Sequence, residues 1–222
     1  MHKLITSAIL LLAMSTTHAQ TAGNCRTYLA LGDSYTIGEG VPVHDNFPYQ
    51  AVQLLRGNGL SFCAPEIVAK TGWTTDELQS GIRGKKLLSR YDIVTLLIGV
   101  NNQYRGRPVD AYAPEFEDLL KQAIAFAGGD ARRVAVLSIP DWGATPFAAG
   151  RDRVAISAGI DAFNAVNRRI ALQHGAYYID ITPGTREATT DGSLVAQDKL
   201  HPSGKEYAKW AAGVARWAEG LR

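Results

Sequence analysis

The 222-residue chain is 46% apolar and 20% charged, an ordinary water-soluble composition whose size fits one domain with a substantial core. Its 23 basic and 21 acidic side chains nearly balance, and pairs such as Lys85-Lys86 and Arg132-Arg133 are isolated, so nothing basic is clustered enough for a nucleic-acid surface and no nucleic-acid partner is expected. No cysteine or histidine cluster has metal-ligand spacing and no Gly-x-Gly-x-x-Gly follows a strand, so neither a metal nor a dinucleotide cofactor is expected.

The N-terminus reads as a secretory signal over residues 1–19. Lys3 supplies the basic start, Leu4 to Met14 the apolar stretch, and Thr17-His18-Ala19 the small-residue exit. Cleavage is expected after Ala19, leaving one domain over 20–222, exported to the periplasm or medium. The apolar stretch is too short to span a bilayer, so no stable membrane anchor is expected. Cys25 and Cys63 are the only cysteines, and an even number in an exported chain points to one structural disulfide.

The run Tyr28-Leu29-Ala30-Leu31 ends at Gly32-Asp33-Ser34, the pattern of a buried strand that delivers a serine at its carboxyl end. A helix follows over Pro48–Arg56, with Asn46 as its cap. A second strand, Ile67-Val68-Ala69, hands over at Gly72 to a helix opened by a Thr74/Glu77 capping box. The strongest strand signal is Ile93 to Ile98, β-branched and leucine-rich as in a strand buried on both faces; it stops at Gly99-Val100-Asn101-Asn102. Next come a helix over Tyr112–Ala127, a strand at Val134–Leu137, a helix marked by Ile156, Ile160, Phe163 and Ile170, and a fifth strand over Ala176–Ile181. A loop holding Asp198 and His201 leads to a last helix, opened by a second capping-box pattern at Ser203 and Glu206. Strands alternating with helices throughout define one three-layer α/β domain with a parallel sheet.

The strand exits carry the parts that acyl transfer needs. Ser34 is the candidate nucleophile, His201 the base and Asp198 the acid that orients it. The backbone N–H groups of Ser34 and Gly72 and the Asn101 amide are the candidate oxyanion donors. Tyr35, Trp73, Tyr104 and Trp142 follow strand ends and are candidate aromatic walls for a substrate. The other histidines are expected elsewhere: His174 at a helix end, His44 in a solvated loop. Asp180 and Asp191 are rival acids, but neither shares a short loop with His201. Ala155-Ile156-Ser157-Ala158-Gly159 approaches a nucleophile elbow, yet Ser157 falls within a helical pattern rather than after a strand.

This order of motifs resembles the GDSL or SGNH hydrolase family, whose Ser, Gly, Asn and His match Ser34, Gly72, Asn101 and His201. The resemblance extends over essentially the whole mature chain. It implies a flavodoxin-like sheet in the order 2-1-3-4-5 and hydrolysis of acyl esters or thioesters without metal or cofactor. One departure is Asn102, where the family usually has Asp. The expected activity is that of an exported serine esterase, its partner a small-molecule, lipid or sugar acyl ester. A carbohydrate O-acetyl esterase is the nearest alternative, and a catalytically silent, flavodoxin-like binder the alternative of another class.

Overall fold

Five parallel strands run β2-β1-β3-β4-β5 in the computed structural model, which describes residues 25–221; the signal segment 1–19 lies outside the described residues. They are β1 (Tyr28–Asp33), β2 (Glu66–Lys70), β3 (Ile93–Leu97), β4 (Val134–Leu137) and β5 (Tyr177–Ile179). Every residue of β1, β3 and β4 is buried, as continuous apolar runs require in a sheet covered on both faces. The helices are α1 (Ser34–Ile37), α2 (Phe47–Gly57), α3 (Thr75–Arg83), α4 (Val100–Tyr104), α5 (Val109–Phe126), α6 (Arg153–Gln173), α7 (Thr182–Arg186) and α8 (Gly204–Glu219). α2 packs on α8, where Phe47 meets Trp210 at 6.0 Å between ring centroids, and α3, α5 and α6 pack together, with Tyr112 of α5 4.7 Å from Phe163 of α6.

The register decides what meets at the carboxyl edge. Gly32 of β1 lies between Ala69 of β2 and Leu97 of β3, so the exits at Ser34, Gly72 and Asn101 emerge side by side with the serine in the middle. Gly32 itself is a close approach: a Cβ there would collide with Thr36 Oγ1 and come within 2.5 Å of the Leu97 carbonyl. At the opposite, amino edge, Cys25 and Cys63 form a disulfide between the segments leading into β1 and β2, with Cα atoms 5.2 Å apart. The adjoining Cys63 N–H donates to the Arg26 carbonyl at 2.9 Å.

Local signals failed at three places, each for a tertiary reason. The second capping box does not form. Ser203 Oγ donates instead to the Ser193 carbonyl at 2.7 Å, while Glu206 turns inward to accept from the buried Trp210 indole at 3.0 Å and pair with Lys209 at 2.9 Å. β5 is shorter than its apolar run because Ser138 Oγ accepts from Ile181 N and Thr182 N at 2.8 and 3.1 Å, drawing the chain out of the ladder. The helices α1 and α4 occupy strand exits that carry no helix signal in the sequence, being too short to show a period.

Candidate active site

Ser34 opens α1 directly after β1 and is buried there, with Asp33 as the helix N-cap: Asp33 Oδ1 accepts from Tyr35 N at 3.0 Å. The other Asp33 oxygen lies 3.4 Å from Asn101 Nδ2. Complete burial pushes the Asp33 carboxyl up to about 7, against the smaller opposing pull of the Tyr35 amide and Asn101. Asn101 Nδ2 also donates to the Trp73 carbonyl at 3.0 Å, tying α4 to the loop after β2. In that loop Gly72 takes φ +79°, a conformation that a Cβ would strain, and its carbonyl accepts from Arg105 Nη2 at 2.6 Å.

Asp198 and His201 share one tight turn. Lys199 adopts the left-handed conformation (φ 64°), at a cost of about 1–2 kcal/mol for a residue with a Cβ. The turn offsets that cost by aiming the Leu200 and His201 amides at Asp198 Oδ1, each at 2.9 Å, while Asp198 Oδ2 lies 2.6 Å from His201 Nδ1. Partial burial alone would raise the Asp198 carboxyl. The two amides and the His201 ring outweigh it and hold the group below the ordinary carboxylate range, so it stays an acceptor at neutral pH. The Tyr35 ring packs against His201, 4.9 Å between centroids, and limits where the imidazole can turn.

One cleft is lined by Ser34, Tyr35, Asn101, Tyr104, Trp142 and His201, together with Val100, Phe147 and Leu200. It therefore brings together the candidate nucleophile, base, amide donor and three of the four expected aromatic residues. Trp73 lies apart: its indole presses on Gly81 of α3, where any Cβ would collide with it. Sequence reasoning misses Phe147 and Leu200. Phe147 sits in the exit loop of β4 just after Pro146, and its N–H donates to the Lys199 carbonyl at 3.0 Å, locking that loop to the Asp198–His201 turn. Tyr104 and Phe147 each pack edge to face against Trp142, at 5.2 and 6.1 Å, and lie tilted to one another at 6.3 Å, and the Arg151 guanidinium lies 5.1–5.5 Å from all three ring centroids.

The rival groups are engaged elsewhere. Ser157 Oγ donates to the buried Asp141 at 2.6 Å, Asp180 accepts from Ser138 and Thr182, and Asp191 pairs with Lys205. His174 closes α6 and contacts Glu117 at 3.0 Å, and the His44 side chain is exposed. A flavodoxin-like binder would need a helix N-terminus open to a phosphate, but the first turn of α3 after the Thr71–Thr75 loop carries Asp76 and Glu77, and Glu77 accepts from the Thr74 amide that an anion would need. Among the described residues no group of His, Cys, Asp or Glu could hold a metal ion, and no helix is long and apolar enough to cross a membrane.

A five-stranded parallel sheet in this order, with helices on both faces and polar groups gathered at its carboxyl edge, defines a flavodoxin-like α/β/α sandwich. The chain belongs to the GDSL-like lipase/acylhydrolase family, whose model matches residues 30–209. Among solved structures it is similar to the lipase/acylhydrolase from Enterococcus faecalis, at 21% identity and TM-score 0.67, over 88% of this chain and 96% of that one. It is also similar to TesA, at 16% identity and TM-score 0.68, over 89% and 100% of the two chains. A third similar structure is an acetylxylan esterase from Geobacillus stearothermophilus, at 18% identity and TM-score 0.67, over 87% and 94%. No curated protein sequence matches the chain.

Proposed function

We propose that this ester hydrolase is an exported serine esterase that works through an acyl-enzyme. One contact carries the proposal: Asp198 Oδ2 lies 2.6 Å from Nδ1 of a histidine that lines the same cleft as Ser34. A proton held on Nδ1 by that carboxylate leaves Nε2 as the base. His201 takes the Ser34 proton as Oγ attacks the ester carbonyl, and the tetrahedral oxyanion accepts from Ser34 N–H, Gly72 N–H and the Asn101 amide. Collapse expels the alcohol, which leaves with the proton from His201. Water, deprotonated by His201, then attacks the acyl-enzyme, releasing the acid and restoring Ser34. The scheme needs no metal or cofactor. Export completes the proposal, with a signal removed after Ala19, a single domain over 20–222, and a disulfide suited to an oxidising compartment.

A second reading, a carbohydrate O-acetyl esterase, is favoured by the Tyr104 and Phe147 rings, which border the cleft while 45% and 37% exposed and offer faces on which a sugar can stack. Incubation with a fluorinated organophosphonate should add one phosphonyl group to Ser34, and Ser34→Ala should lose both the label and all but trace hydrolysis of a short chromogenic ester. A folded Ser34→Ala protein that still turns over would refute the nucleophile. Absence of both label and turnover in the wild type would favour the silent binder. A panel of chromogenic esters, thioesters and acetylated sugars separates the two esterase readings.

A further inference from the structure

The loop that carries Gly72 and the helix that carries Asn101 are joined by a buried hydrogen-bonded chain with a defined direction. Asn102 of α4 and Thr75 of α3 are both fully buried. Asn102 Oδ1 accepts from Thr75 N at 3.2 Å, and Asn102 Nδ2 donates to Thr75 Oγ1 at 2.7 Å. Thr75 Oγ1 in turn donates to the Glu115 carboxylate of α5. A threonine hydroxyl has one proton, and here the carboxylate takes it, so the group on its other side must be a donor. The side-chain amide of Asn102 meets that demand; a carboxylate of the same shape would not.

The arms also touch directly, Asn101 Nδ2 donating to the Trp73 carbonyl at 3.0 Å and Arg105 Nη2 to the Gly72 carbonyl at 2.6 Å, and through two exposed ion pairs, Arg105 with Glu77 at 3.4 Å and Arg107 with Asp76 at 2.7 Å. Exposed pairs of this kind contribute little, whereas a hydrogen-bonded chain whose Asn102–Thr75 link is buried resists distortion. We propose that Asn102 and Glu115 are a matched pair of positioning residues, acting through Thr75 to set the spacing between the Gly72 N–H and the Asn101 amide. The inference rests on the oxyanion role proposed for those two groups.

It is tested by steady-state hydrolysis of p-nitrophenyl butyrate by the mature protein with its disulfide formed. Asn102→Asp places two carboxylates around one hydroxyl proton, and kcat should fall about 10- to 100-fold with KM within about twofold, the mark of an interaction used in the transition state. Glu115→Gln alone should stay within about threefold of wild type, because its carbonyl can still accept from Thr75. In the double variant Asn102→Asp/Glu115→Gln the amide introduced on α5 donates to Thr75, whose proton turns to the carboxylate introduced on α4, and kcat should recover to within about threefold of wild type. Thr75→Val, which keeps the shape and removes the hydroxyl, should show the same kcat loss and gain nothing from Glu115→Gln. Wild-type kcat in Asn102→Asp or in Thr75→Val, a double variant no better than Asn102→Asp, or a loss confined to KM would each overturn the inference. Ser34→Ala runs alongside: if it stays active the esterase reading itself fails, and if it is dead while Asn102→Asp is normal only the positioning role fails.

Discussion

Asp33 provides the sharpest test of the site's electrostatics, because it is completely buried, caps α1 and touches Asn101. Its carboxyl is raised from 3.8 to about 7, chiefly by loss of solvent. A displacement of about three pH units, at about 1.4 kcal/mol per unit, is worth up to about 4 kcal/mol. The sign follows from linkage. Below about pH 4 the group is neutral in both states and costs nothing. Between about 4 and 7 the unfolded chain releases the proton while the folded one keeps it, so stability falls as pH rises; above about 7 both states are ionised and the slope ends. Asp33→Asn has no proton to release. Urea unfolding of wild type and variant, followed by tryptophan fluorescence at each unit from pH 4 to pH 8, should give a stability difference that moves by up to about 4 kcal/mol in favour of the variant as pH rises. The new amide, facing Asn101 or the Tyr35 N–H, adds an offset, but that offset does not depend on pH and drops out of the slope. Parallel curves across the range would show that Asp33 is ionised in the fold and refute the reasoning.

Three further outcomes follow from the geometry. Asn101→Ala should lower kcat by about 10² to 10³ with little change in KM, and an effect confined to KM would contradict an oxyanion donor. Replacing Cys25 and Cys63 with serine should lower unfolding stability by about 2–4 kcal/mol, measured in denaturant, and leave kcat of the folded protein intact, since the bridge lies at the sheet edge opposite Ser34. A kcat loss in the folded protein would link that edge to the cleft. The intervals 140–153 and 182–197 hold only short helical turns, so p-nitrophenyl esters of increasing chain length should give smooth saturation, fastest for short acyl groups. A sharp rise in rate where long esters aggregate would reveal a lid.

What the sequence determined by itself is local. The Ile93–Leu97 run announces a fully buried strand, the apolar run from Tyr28 leads through Gly32-Asp33 to a serine at the strand's end, and Asp198 and His201, three residues apart, share a turn wherever the rest of the chain goes. Each of these depends on periodicity or turn chemistry within a few residues. The tertiary structure decided the rest, because where a side chain points depends on partners far along the chain. Glu206 follows the capping pattern yet turns inward to a buried indole, and Trp73, a strand-end aromatic like Trp142, spends its ring on Gly81. Phe147 reaches the cleft through a bond to Lys199, 52 residues away. Asn102, Thr75 and Glu115 meet across separations of 27 and 40 residues, and only three packed helices give their donors and acceptors a direction.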